Sequence, residues 1–213
     1  GGDTISGASA VEQLNIDSGD EDDRLIFNAE VLASTFSLGL GNDGAEIQDF
    51  SGTINGGMGK DSISTSSYRT VTESLIRGHA GDDIFNFANI TTTIVNTNAD
   101  DDYIAVTGKI ISSELYGGRQ KDTINIAKAT NSLIRGDANA DNITINGELD
   151  GTIINGNADN DFIVINSNSI QSSTVYGGQG DDNIDVSSDA IYIAGGKGND
   201  DIDTTSSKKH TIY

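Results

Sequence analysis

Eleven aspartates recur so evenly along this chain that they read as one column of carboxylates. They are Asp3, Asp23, Asp43, Asp61, Asp83, Asp102, Asp122, Asp141, Asp161, Asp182 and Asp200, at steps of 18 to 22 residues. A fixed period of this size marks a solenoid, each repeat stacked on the one before. Stacked carboxylates repel one another unless positive charge lies among them. The residues just before each aspartate describe its surroundings. Four places before stand Gly19, Gly39, Gly57, His79, Asn98, Gly118, Asp137, Asn157, Gly178 and Gly196. Gly, Asn, Asp and His are the types that tolerate positive φ. Two places before stand Gly1, Gly41, Gly59, Gly81, Asp100, Asn139, Asp159, Gly180 and Gly198, with Glu21 and Gln120 as exceptions. A backbone curled this way turns carbonyls toward a common point. One carboxylate per turn completes an oxygen-only cage, which suits a hard cation, Ca²⁺ ahead of Mg²⁺.

An aspartate capping its own turn would explain one acid per repeat. It does not explain the acids crowded beside it in Asp20-Glu21-Asp22-Asp23 and Asp100-Asp101-Asp102. Lys60, Arg119 and Lys121 bring positive charge to two turns, which are expected to bind a cation weakly. Catalytic chemistry has little to work with. The histidines are His79 and His210, and His79 falls in the positive-φ column. No Gly-x-Ser-x-Gly, His-Glu-x-x-His or Cys/His set is present. No repeat is long enough to carry an inserted loop that could wall a cleft, so the segment reads as a non-enzyme.

The elements that position these aspartates follow from the apolar residues. Two places after each stand Ile5, Leu25, Ala45, Ile63, Phe85, Ile104, Ile124, Ile143, Ile163, Ile184 and Ile202. Four after stand Phe27, Ile47, Phe87, Val106, Ile126, Ile145, Ile165 and Val186, with Gly7, Thr65 and Thr204 as exceptions. Seven before come Ile16, Phe36, Ile54, Ile76, Val95, Leu115, Ile134, Ile154, Val175 and Ile193. About twelve before lie residues such as Val31, Val71, Ile110, Leu149 and Ala190. Apolar residues two apart face the same side of a strand, and β-branched types favour one. No helical stripe competes, and the connections are too short for crossover helices. The expected fold is therefore all-β: a parallel β-solenoid of about eleven rungs, residues 1–213 forming one domain. Strand spacing makes it a rod roughly 50 Å long. Gly1-Gly2-Asp3 and Thr211-Ile212-Tyr213 both read as interior repeat, so the expectation is an uncapped window of a longer array.

Lys+Arg total 12 and Asp+Glu 33, a net charge of −21. That balance argues against nucleic acid and anionic membranes. No apolar run is long enough to span a bilayer as a helix. Absence of cysteine excludes a disulfide scaffold and a thiolate site. Eleven turns leave ten gaps, and ten Ca²⁺ would bring +20 against −21.

Gly177-Gly178-Gln179-Gly180-Asp181-Asp182-Asn183-Ile184 and Gly195-Gly196-Lys197-Gly198-Asn199-Asp200-Asp201-Ile202 resemble the G-G-x-G-x-D-x-U-x repeat of the RTX, or haemolysin-type, calcium-binding proteins. Gly56-Gly57-Met58-Gly59-Lys60-Asp61 matches too. The resemblance implies a parallel β-roll holding several Ca²⁺ between neighbouring turns, exported and folding on extracellular calcium. The usual roll repeats its motif every nine residues. Here one motif falls in each rung, and the other edge is Ser/Thr-rich, as in Thr91-Thr92-Thr93 and Ser172-Ser173. One calcium ladder along one edge follows. Surface-fibril proteins of gliding cyanobacteria, oscillin among them, are similar in this respect.

The expected role is structural and extracellular: a cell-surface fibril, surface-layer or spacer element. The alternatives are the repeat region of a secreted adhesin, toxin or enzyme, or a calcium-dependent ice-binding solenoid. The column eight before the aspartate bears on partners. It reads Asn15, Thr35, Thr53, Leu75, Ile94, Glu114, Leu133, Ile153, Thr174, Tyr192, Thr211, which is no uniform Thr ladder. Leu75, Ile94, Leu133 and Ile153 should instead form an outward apolar strip, a surface for lateral self-association or for other surface proteins.

Overall fold

The computed structural model describes residues 2–187, 192–204 and 211–212. These residues form a single parallel sheet wound into a coil. Each rung has three faces. Around Asp102 the chain runs along Asn89–Thr91, then Ile94–Ala99, then past the aspartate into Tyr103–Ile111, whose far end opens the next rung. Each stretch pairs with its counterpart one rung on: Ile90 with Ile110, Ile94 with Glu114, Ile104 with Ile124. The offset equals the sequence period, so each column of like residues becomes a line of neighbours along the axis.

The four apolar columns are the core. Leu25, Phe85 and Ile184 of the first, Phe27 and Ile165 of the second, Phe36 and Ile193 of the third, and Val31 and Ile110 of the fourth are all buried. Ala190 lies outside the described residues. Inside the coil, like packs on like: Phe27 stacks on Phe36 at 5.2 Å, and Phe36 meets Phe50 at 5.5 Å. One rung has no apolar neighbour until the next covers it, so stacking supplies the hydrophobic gain.

The exceptions have local reasons. A side chain at Gly7 would strike the Phe27 ring, which fills that space. Thr65 turns its hydroxyl to the Ala88 N–H at 2.8 Å. Most differences in rung length fall at the corner after the second strand; the short step from Asp43 to Asp61 also drops a residue between Val31 and Ser34 and their partners Phe50 and Gly52. In the longest step, from Asp61 to Asp83, residues 66–69 make an extra turn closed by Arg69 N–H to the Ser66 carbonyl at 3.2 Å, with Tyr68 exposed at its tip. The aspartate corner is left at constant length in every rung. This is why its side chains can stack in register.

Candidate metal centre

The aspartate corner is made by two left-handed residues. All ten residues four places before Asp23 to Asp200 have positive φ, from Gly19 at 95° through His79 at 86° to Gly196 at 115°. So do those two places before, including Glu21 at 80° and Gln120 at 72°, whose types broke the sequence pattern. Packing overrides the intrinsic cost at those two residues. His79 is a turn residue here. Burial lowers its pKa first, and Arg77 adds to the effect. His210 lies outside the described residues.

The corner folds the aspartate side chains from Asp23 to Asp182 inward, while Asp3 is exposed and Asp200 half-buried. Asp61 is 0% exposed, and Asp83, Asp122 and Asp141 are 1%. One carboxylate oxygen has a fixed task. The Asp102 N–H donates to Asp122 Oδ1 at 2.9 Å, and the Asp122 N–H to Asp141 Oδ1 at 2.8 Å. The same bond joins every consecutive pair from Asp3 to Asp200. From Asp23 on, each aspartate therefore caps the rung before it, a task that neither the own-turn cap nor the cation cage weighed from sequence describes.

The second oxygen has no such task. Oδ2 of Asp23, Asp43, Asp61, Asp83, Asp102, Asp122, Asp141, Asp161 and Asp182 is buried and has no hydrogen-bond partner. An ionised oxygen in that position is costly. The carboxyls respond accordingly. Burial pushes Asp61, Asp102 and Asp141 up to about 7, and Asp83, Asp122 and Asp161 up to about 8. The backbone N–H on Oδ1 opposes the rise, and neighbouring carboxylates add to it.

What Oδ2 faces is the backbone five places before the aspartate. The strand pairing skips this residue: Arg77 pairs with Asn96 and His79 with Asn98, but Gly78 has no pairing partner. The same skip occurs at Gly117, Gly136, Gly156, Gly177 and Gly195. A methyl group placed on Gly56 would meet Asp61 Oδ2 and, at 2.8 Å, the Gly78 carbonyl oxygen of the next rung. On Gly117 it would meet Asp122 Oδ2 and the Gly136 carbonyl, also at 2.8 Å. Gly156 and Gly177 are placed alike. A carboxylate oxygen and a carbonyl oxygen thus converge on a space that only glycine leaves open. Oxygen-only donors with negative charge fit a hard cation.

This geometry sorts the residues picked out from sequence. The eleven aspartates lie in one column. Gly56, Gly177 and Gly195 face the carboxyls. Gly57, Gly178 and Gly196, with Gly59, Gly180 and Gly198, make the left-handed backbone. A Cβ on any of these six would collide with a carbonyl of the preceding rung. Carbonyls four before the aspartate are already engaged, as Gly19 with the Leu40 N–H at 2.9 Å. The acids next to the aspartates also have a backbone task. Asp22 accepts the Asn42 N–H at 2.7 Å, Asp101 the Lys121 N–H at 3.0 Å, and Asp181 the Asn199 N–H at 2.7 Å. Among the described residues no three acidic or histidine side chains converge on one point. Each candidate centre is therefore one carboxylate plus backbone. Lys60, Arg119 and Lys121 are exposed, away from the buried oxygens.

Sequence reasoning passed over the glycine column at Gly78, Gly117, Gly136 and Gly156. It noted a Ser/Thr-rich edge, Thr93 and Ser173 included, but not the hydrogen-bonded ladder that this edge forms at a second corner, nine places before the aspartate. The Ser132 hydroxyl accepts the Ser113 N–H at 3.2 Å and donates to the Thr130 carbonyl at 2.8 Å. Ser113, Thr152 and Ser173 repeat this arrangement.

Fold and corner together define a parallel β-solenoid with a file of buried, half-satisfied carboxylates along one edge. No protein-family model matches the sequence, and no curated protein matches it. In three dimensions the chain is similar to a hyperactive, Ca²⁺-dependent, β-helical antifreeze protein from an Antarctic bacterium. The TM-score is 0.67 at 18% identity, over 100% of this chain and 83% of that one. At that identity the likeness is one of fold.

Proposed function

We propose that this chain is a calcium-stabilised structural solenoid that works outside the cell, as a fibril, surface-layer or spacer element. The observation that carries this reading is the file of nine buried Oδ2 atoms without a partner. Each needs a proton or a cation, and at neutral pH a divalent cation does what a proton does only in part. Calcium suits a site built from one carboxylate and backbone carbonyls, because it accepts irregular oxygen coordination, whereas Mg²⁺ demands a near-ideal octahedron. Sites of such low charge fill where calcium is abundant, as outside cells. The chain then folds where it works. RTX-like sequences support the same reading.

Leu75, Ile94, Leu133 and Ile153 belong to this proposal as a contact strip between rods. They are register neighbours on one outer face, broken by Glu114, with Ile94 and Ile153 exposed. Replacing all four by Thr should leave the calcium-bound fold intact and reduce sedimentation of rods as pairs. Equal sedimentation refutes the contact.

Ice binding is the second reading, favoured by the fold of the antifreeze protein. Against it stands the lack of a regular short-hydroxyl array. The outward column three before the aspartate holds Asp20, Leu40, Met58, Ala80, Ala99, Arg119, Ala138, Ala158, Gln179 and Lys197. Thermal hysteresis in saturating calcium separates the two readings: none is expected.

The principal test is circular dichroism in chelator followed by calcium titration. β-structure and melting temperature should rise with calcium. An unchanged spectrum and melt would overturn the proposal.

A further inference from the structure

We infer that the cation file is split: two side-chain hydroxyls and one leucine take the place of the ion in three turns, leaving separate runs of two and four sites. The inference rests on the calcium reading above and refines it from ten equal gaps to six sites at named places.

The column five before the aspartate decides it. Glycine stands there before Asp61 and Asp83, and again before Asp122, Asp141, Asp161, Asp182 and Asp200, of which only half-buried Asp200 is not among the carboxyls with a buried, orphaned Oδ2. In the three remaining turns with an orphaned Oδ2 the residue has a side chain. Thr97 precedes Asp102, Leu38 precedes Asp43, and Ser18 precedes Asp23. Thr97 and Leu38 are completely buried, so their side chains occupy interior space.

What the hydroxyls do there is specific. Thr97 Oγ1 donates to the Gly117 carbonyl of the next rung at 2.5 Å. Ser18 Oγ donates to the Leu38 carbonyl of the next rung at 2.8 Å. In both cases the acceptor is the carbonyl five before the next aspartate. In the glycine turns at Gly56 and Gly117 that same carbonyl shares an open space with Oδ2. The hydroxyl proton points at the oxygen a cation would be drawn to, and the side-chain carbon fills the space the ion would need. Thr97 also lies close enough to Asp102 to oppose the rise in its pKa. Leu38 works differently: an apolar side chain beside Oδ2 of Asp43 leaves no donor for an ion and favours a protonated acid.

The result is an unequal rod. Asp61 and Asp83 form a short run, bounded below by Leu38 and above by Thr97. Asp122 to Asp182 form the longer one. The rung of Asp102 is a metal-free joint, held by a hydroxyl in a rod otherwise held by ions.

Native mass spectrometry of the full chain at saturating calcium tests this. Six ions are expected on the unaltered chain. Thr97→Gly, which restores the residue used in the glycine turns, should bind one more. Thr97→Val keeps the bulk but loses the donor. It should bind no additional ion and should melt lower, because the Gly117 carbonyl loses its partner. Nine or ten ions on the unaltered chain, or an unchanged count in Thr97→Gly that folds by circular dichroism, overturns the split while leaving calcium dependence standing. No bound calcium overturns the underlying reading, and the split with it.

Discussion

Two of the three corners of the coil solve the same problem with different side chains. At both, a polar residue points inward and accepts the backbone N–H of its counterpart in the preceding rung. At the Ser/Thr corner Ser132 accepts from Ser113, and at the aspartate corner Asp141 accepts from Asp122. A hydroxyl also carries a proton, and Ser132 donates it to the Thr130 carbonyl. That corner is complete in itself. A carboxylate carries a second acceptor instead of a donor, and that oxygen is left over in nine consecutive rungs. The difference between one corner and the other is one proton per rung. A structure held only by Ser and Thr would be stable in any medium. The aspartate corner makes stability conditional on what the medium supplies.

The largest expected effect comes from removing the supply. If six independent sites each bind calcium at a hundredfold excess over Kd, each adds about 2.7 kcal/mol. Together they exceed the stability of an ordinary domain. Melting in chelator should fall by tens of degrees, and the Ser/Thr corner cannot compensate. A fall of a few degrees would mean that the two corners are equivalent.

Next is pH. In chelator the carboxyls of Asp61, Asp83, Asp102, Asp122, Asp141 and Asp161 have folded pKa values of about 7 or 8, above the ordinary 3.8. A raised carboxyl stabilises the fold below its unfolded pKa, and that stability is lost as pH rises through the folded value. Metal-free protein should therefore melt highest near pH 4 and progressively lower toward pH 8. In calcium the trend should reverse, because ion and proton compete for the same oxygen. A flat melting profile in chelator contradicts the buried-acid account.

Single substitutions sharpen the contrast. Ser132→Ala removes an acceptor and leaves the buried Ser113 N–H unpaired, at about 1–3 kcal/mol. The loss should be equal in calcium and chelator. Asp161→Ala should cost more than this in calcium and less in chelator, where the wild-type carboxylate is itself a burden. Denaturant melts in both media measure the pair. The smallest effect belongs to the outward face. Ile153→Thr should change stability by no more than about 0.5 kcal/mol. Its inward neighbour Ile154, completely buried, should cost roughly 2–5 kcal/mol when changed to Ala.

Much of this was legible in the amino-acid order. The columns holding Ile63, Ile76, Phe87 and Val71 were read by periodicity alone, and all four side chains are buried. The left-handed positions followed from residue type, and the pattern held even where Glu21 and Gln120 interrupt it. Two features were not legible. A period near twenty residues looks the same whether an aspartate caps its own turn or the rung before, so the cross-rung bond needed coordinates. The glycine column facing Oδ2 was hidden by Ser18, Leu38 and Thr97. They read as noise until the Thr97 and Ser18 hydroxyls are seen to reach the carbonyls that the glycines leave open.

The central claim is that the unpaired oxygen, not the aspartate as a cap, makes this fold depend on a cation. Asp141→Asn with Asp161→Asn tests it directly. Asparagine keeps the Oδ1 that accepts the cross-rung N–H and replaces the orphaned oxygen with an amide donor. It turns two rungs of the aspartate corner into the Ser/Thr kind. Thermal melts at about pH 8 should show the double variant above the unaltered chain in chelator and below it in saturating calcium. A variant that differs from the unaltered chain by the same amount in both media, or in neither, would show that the carboxylates are only caps.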